Sequence, residues 1–128
     1  LYSSAASDVY KRQARIDHAA RYNRSLASLD ELITPSWQRG RANIYSYYPI
    51  QCREREALLQ FAMRHKRDFA AQHLRNCADL PEFKEFFRHC PNARASAGEL
   101  ILLPTYPRYP SAEIQLNIEV IQEFFRSR

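Results

Sequence analysis

The sequence predicts an α/β chain, arranged as an α+β two-layer sandwich in which helices cover one face of a short sheet. Segments with apolar residues three and four apart alternate along the chain with short β-branched and aromatic runs. Its 128 residues suffice for one domain around one core. With 45% hydrophobic and 26% charged residues, the composition is that of an ordinary folded domain.

The opening segment, Leu1 to Gln13 (LYSSAASDVYKRQ), carries no periodicity that continues beyond it, and the only methionine is Met63. The string resembles a linker-derived tag found at the ends of translated metagenomic assemblies. Residues 1–13 are therefore expected to stand outside the fold, and the natural protein is expected to extend further upstream, with this chain a fragment. From Ala14, the positions Ile16, Ala19, Tyr22, Leu26, Leu29 and Ile33 fall on one helical face, with Arg15, Asp17, Arg21 and Arg24 solvated. Pro35 stops this helix, and Pro35 to Ala42 reads as a loop that flexes at Gly40.

Asn43 to Cys52 is β-branched and aromatic, hence a strand, with Pro49 demanding an edge or a strand end. Arg53 to Arg67 comes next as a helix with Ala57, Leu58, Phe61 and Ala62 inward. Asp68 to Leu74 reads as a short strand. Pro81 suits the first turn of a short helix with Phe83, Phe86 and Phe87 on its apolar side. Asn92 to Gly98 reads as a polar connection. Leu100 to Leu103 is a buried strand ended by Pro104, and Thr105 to Pro110 is a turn. Ser111 is an N-cap candidate for a last helix that buries Ile114, Ile118, Ile121 and Phe125. The domain boundaries are then a tag at 1–13, a linker helix at 14–35 and a small domain at 36–128.

Several chemistries are disfavoured. With only Gly40 and Gly98, no glycine-rich phosphate cradle is available. The basic residues behind the net charge of +5 are scattered among Asp and Glu rather than grouped, which fits uneven sampling of a parent protein whose other part is acidic better than a nucleic-acid or acidic-ligand surface. Cys52, Cys77 and Cys90 form no even disulfide set and no CxxC pair, as in a reducing cytoplasm. No run reaches the ~20 apolar residues that cross a bilayer. The intervals among Cys52, His73, Cys77, His89 and Cys90 are too irregular for a zinc site, so no metal is expected. Cys77 with His73 and Arg75 lacks further support as a nucleophile. Glu54, Glu56, Asp79, Glu82 and Glu85 sit among Arg and Lys as solvated ion pairs.

One mixed loop remains, Gln72 to Pro81, where His73, Arg75, Asn76 and Asp79 lie together between a strand and a helix. Polar side chains on a loop held by a scaffold are a usual place for ligand contact. The same residues suit a polar turn in which Asn and Asp bond their own backbone. Both readings stand at this point.

Four segments carry a family resemblance. They are RIDHAARYNRSLASL, IYSYYPIQCREREALLQFAMRH, the stretch DFAAQHL with the later LPEF, and AGELILLPTYPRYPSAEIQLNIEVIQEF. Their order and spacing resemble the carboxyl-terminal small domain of the DegT/StrS sugar aminotransferases, which are fold-type-I enzymes dependent on pyridoxal phosphate. The segments look like that family's linker helix, its small-domain strand with an "Arg-Asp/Glu-x-Leu" helix, its His-bearing second strand, and its "Leu-Pro-x-Tyr-Pro" strand with the closing helix. Where many members place an aromatic residue after that His, this chain has Leu74.

The resemblance implies transfer of an amino group from an amino acid, with glutamate the usual donor, to a nucleotide-linked keto sugar. The cofactor acts as the electron sink. It also implies that the cofactor ligands lie upstream. Lys11, Lys66 and Lys84 are the only lysines here and match no Schiff-base position, so the fragment has no catalytic residue and should be inactive alone. His73, with Arg75 and Asn76 beside it, is implied as substrate contact or cleft wall. A homodimer formed by the full-length protein is implied, with no nucleic acid or membrane partner. Two rival readings are a binding module docking a partner on Tyr45, Tyr47 and Tyr48, and a nucleic-acid module in which those tyrosines stack bases beside Arg39, Arg41 and Arg53.

Overall fold

The computed structural model describes residues 2–37 and 43–128. The expected loop of Pro35 to Ala42 therefore lies partly outside the described residues, including Gly40, Arg39 and Arg41. The elements, in order, are α1 (Tyr2–Leu26), β1 (Leu32–Ile33), β2 (Tyr47–Cys52), α2 (Arg55–Arg64), β3 (Ala70–Ala71), α3 (Pro91–Glu99), β4 (Leu100–Pro104) and α4 (Ser111–Arg126). Two 3-10 segments, Cys77–Asp79 and Pro81–Phe86, lie between β3 and α3.

The strands form one antiparallel sheet in the order β1-β2-β4-β3. Since β4 separates them, β2 and β3 run parallel with α2 between them in sequence, a split βαβ unit. Alternate residues of the two central strands, Tyr48, Ile50 and Cys52 with Ile101 and Leu103, are buried. They meet Ala19, Tyr22 and Leu26 of α1, Leu58 and Ala62 of α2, and Ile114, Ile118, Ile121 and Phe124 of α4. Helices thus cover one face, as the sequence predicts. On the other face Ile33 and Tyr47 stay exposed.

Helix α1 begins at Tyr2, not Ala14. No Gly or Pro interrupts Tyr2 to Leu26, and alanines keep propensity high, so the helix forms without a buried stripe. Most side chains from Ser4 to Gln13 are exposed; burial starts with His18 and Ala19. The helix also stops at Leu26, short of Ile33. Turn bonds come next, from Leu29 N to Leu26 O at 3.1 Å and from Leu32 N to Leu29 O at 3.1 Å. Leu32 and Ile33 then pair with Cys52 and Gln51. Ser28 and Asp30 favour turns over helix, and β-pairing takes the residues the helical spacing had claimed.

The second strand starts at Tyr47 rather than Asn43. Tyr45 has φ 46°, incompatible with a ladder, and its ring stacks on Trp37 at 5.4 Å. Its carbonyl accepts from Thr105 Oγ1 at 2.6 Å. Pro49 lies where β2 has only β4 as a neighbour, because β1 reaches no further than Gln51, so its missing donor is tolerated.

Helix α2 closes with Lys66 at φ 60°, Lys66 N on Met63 O at 2.9 Å and Arg67 N on Ala62 O at 2.8 Å. These are the bonds of a Schellman motif, with lysine at the position glycine usually fills. Arg67 then reaches Glu113 on α4 as an ion pair.

Further expectations are corrected. The strand of Asp68 to Leu74 shrinks to Ala70–Ala71, paired with Leu102 and Ile101. The supposed polar connection of Asn92 to Gly98 is helix α3, started by Pro91 and carried by Ala93, Ala95 and Ala97. It buries no residue, so no apolar periodicity announces it. At α4 the N-cap position is Pro110, with Ser111 the first helical residue, and Phe124 rather than Phe125 is buried. The 3-10 segment at Pro81 leaves Phe83, Phe86 and Phe87 exposed instead of packing them inward.

Candidate functional site

The chain leaves the sheet after β3 and returns at β4, where Gln72 N donates to Leu100 O at 3.1 Å. Everything from His73 to Glu99 projects from that closure. A cleft of about 470 Å³ opens between the first part of this projection and the ends of α2 and α3. Its wall includes His73, Arg75 and Asn76, together with Arg55, Asp79 and Gly98. The three residues singled out from the sequence are therefore gathered at one place.

Their roles differ. The His73 and Arg75 side chains are exposed and form no hydrogen bond or ion pair among the described residues. Asn76 is engaged: its Oδ1 accepts from Ala78 N at 3.4 Å, and its Nδ2 donates to Asp79 Oδ2 at 2.8 Å. It thus caps the first 3-10 segment, as a polar-turn residue does. The polar-turn reading is met at Asn76 and Asp79, while His73 and Arg75 stand on the cleft wall.

Asp79 is gripped from α3. Arg94 Nε donates to both carboxylate oxygens, at 3.1 and 3.0 Å, and Nη2 donates to Oδ1. The Arg94 guanidinium, then the Asn76 amide, hold the Asp79 carboxyl below its ordinary range. Arg55 is likewise occupied, donating to Glu56 Oε1 at 3.0 Å and to Ala97 O at 2.9 Å. Sequence reasoning did not assign Arg55 or Arg94 to the site. Arg55 lies in the Arg-Glu-Ala-Leu run of the family resemblance, whereas Arg94 lies on a helix the sequence does not advertise.

The tyrosines of the binding-module reading share no surface. Tyr48 is fully buried, Tyr45 stacks on Trp37, and only Tyr47 is exposed. Cys52 is buried, Cys77 exposed and Cys90 partly exposed, all as free thiols. Among the described residues no three His, Cys, Asp or Glu side chains gather as a metal site. No described helix is long and apolar enough to cross a membrane.

A shallow cleft thus lies at one end of a helix-backed antiparallel sheet. The sequence model of the DegT/DnrJ/EryC1/StrS aminotransferase family matches residues 9–122, so the chain belongs to that family. The match takes in Val9 to Gln13. No curated protein matches the chain.

Solved structures share the fold. A DegT DnrJ EryC1 StrS aminotransferase from Brucella abortus superposes with TM-score 0.77 at 20% identity, covering 89% of this chain and 31% of its own. The sugar aminotransferase CalS13 from Micromonospora echinospora gives 0.78 at 16% identity, over 88% of this chain and 30% of its own. NtdA from Bacillus subtilis, with bound cofactor PMP, gives 0.78 at 16% identity, over 91% and 28%. The chain spans about a third of the length of these proteins or slightly less. The fold is that of the small domain of a fold-type-I transferase, as the resemblance implies.

Proposed function

We propose that this chain is the carboxyl-terminal small domain of a pyridoxal-phosphate-dependent aminotransferase that moves an amino group from an amino acid, glutamate being the expected donor, to a nucleotide-linked keto sugar. The family match over residues 9–122 carries the reading. In this reading the exposed first turns of α1, ahead of its buried stretch from His18, lead toward a large domain. The parent is a cytoplasmic homodimer.

The residues present do not fit the cofactor. Lys11, Lys66 and Lys84 are all exposed, and none lines the cleft. No step of the amino transfer is therefore derived from this chain, and alone it is inactive. What it contributes is a wall: His73 and Arg75 offer unshared donors to a substrate, and the Asn76–Asp79–Arg94 bonds hold their loop.

The test uses the full-length parent and the isolated chain side by side. Expected is retained pyridoxal phosphate after dialysis and amino transfer by the parent, and neither by the chain. Retention of the cofactor by the isolated chain, or a parent that does not bind it, refutes the reading.

A further inference from the structure

The sheet is written for two covered faces, and the long helices cover one of them. An antiparallel strand with water on one side alternates apolar and polar residues, whereas a strand buried on both sides reads as a continuous apolar run. Strand β4 is such a run, Leu100 to Pro104 (LILLP), yet only Ile101 and Leu103 are buried under the helices. Leu100, Leu102 and Pro104 point the other way and are partly exposed. The register sets apolar residues side by side across that second face. Leu102 stands between Pro49 and Ala70, Pro104 lies opposite Tyr47, and Leu100 lies opposite Gln51, which has Ile33 on its far side. Tyr47 is 49% exposed and Ile33 64%. Gln51 is committed within the chain, donating Nε2 to Glu99 Oε2 at 2.9 Å.

We propose that this second face is the seat of the parent's large domain, which lays an apolar surface of its own on Leu102, Pro49 and Tyr47. The inference rests on the reading that the parent has a large domain, and it adds which face of the small domain that domain occupies. The solved structures that share this fold carry it as 28 to 31% of a longer chain. On that reading, polypeptide of the same molecule is tethered beside the sheet, at an effective concentration that a separate partner does not reach. A contiguous apolar face marks an interaction site. Here its strand sequence asks for a second layer, and the tether decides what supplies it.

Hydroxyl-radical footprinting read by mass spectrometry compares this chain with the full-length parent. Oxidation of Ile33, Tyr47 and Leu102 should be roughly tenfold slower in the parent, as these side chains pass into the dry centre of an interface. Met63, 64% exposed on α2 and so on the helix side of the sheet, is the control and should change little. Equal rates in chain and parent overturn the inference, and so does a slowing at Met63 as large as that at Tyr47. If the three residues are already slow in the chain alone and speed up on dilution, a second copy is the occupant and the inference is overturned. Within the parent, Leu102→Lys should lower the thermal midpoint by about 5 °C and Met63→Lys should not; equal midpoints overturn the inference without recourse to the isolated chain. Cofactor retention is measured on the same parent sample. A parent that binds no pyridoxal phosphate but protects these residues refutes the aminotransferase reading and leaves this inference standing. A parent that binds it and leaves them reactive refutes this inference alone.

Discussion

Asn117 on α4 donates its amide to the hydroxyl of Tyr22 on α1 at 3.0 Å, in the buried seam between the two longest helices. The same nitrogen donates to Tyr109 at 3.0 Å, so one side chain joins α1, α4 and the turn before α4. Its oxygen, Oδ1, has no partner. Turning the amide around would let that oxygen accept from both hydroxyls and would leave the nitrogen unpaired instead. Either orientation keeps two tyrosine hydroxyls satisfied and leaves one atom orphaned.

Asn117→Ala should therefore lower stability by about 2–3 kcal/mol, because two hydroxyls lose a partner and a buried volume is emptied. Tyr22→Phe removes only one of the two bonds and should cost about 1 kcal/mol. Urea unfolding monitored by circular dichroism reads both. Equal losses from the two variants would mean that Tyr109 contributes nothing.

Lys66 at φ 60° carries a steric penalty that glycine would not. Lys66→Gly keeps the two bonds that close α2 and relieves the contact of Cβ with the backbone. The variant should be more stable by about 1 kcal/mol, seen as a higher urea midpoint with an unchanged slope. A loss of stability would show that the Lys66 side chain does more than fill the turn.

Stability should fall on the alkaline side. Burial pushes the Cys52 thiol from its ordinary 9.0 up to about 11, and the Tyr48 hydroxyl from 10.0 up to about 12. Both groups hold their proton more tightly folded than unfolded. Their contribution is complete below pH 9 and is lost as pH rises from there through the folded values. The urea midpoint should be level up to about pH 9 and then decline. In Cys52→Ala the decline should begin about one pH unit later, where the Tyr48 hydroxyl and the Tyr22 hydroxyl, which burial also pushes up, govern it.

The three thiols should separate by reactivity. Cys77 is exposed and Cys52 is 2% exposed. A disulfide-exchange reagent at pH 8 should label Cys77 within the native state and Cys52 only on unfolding, with Cys90 between them. Mass spectrometry of tryptic peptides after timed quenching gives the order. Native labelling of Cys52 ahead of Cys77 would contradict the burial.

The sheet and its long helices are legible in the sequence because amphipathic spacing reports burial directly. Ile101 and Leu103, Ile114 and Ile118, Leu58 and Ala62 are all marked by their period, and all are buried. What periodicity misreads is what packing does not organise. Helix α3 buries nothing and so carries no stripe. The first turns of α1 are exposed and lack a stripe for the same reason. Ile33 keeps the helical spacing of α1 but joins a strand, because pairing with Gln51 is a tertiary event with no local mark. In the candidate cleft, His73, Arg75 and Asn76 are visible as polar side chains in one loop. Arg94 is not, because its importance comes from an Asp79 fifteen positions away that only the fold brings near.

The meeting of Gln72 and Leu100 gives the cleft-bearing segment an unusual freedom. The chain departs from the sheet and re-enters it at nearly one point, so the residues between form a cassette with a fixed clasp. Lengthening a loop whose ends are already pinned is cheap, at about 0.6 kcal/mol for each doubling. Insertions and exchanges there would leave the register of β4 against β2 and β3 undisturbed. Selection can therefore rewrite what this end of the domain recognises while the clasp and the sheet stay as they are.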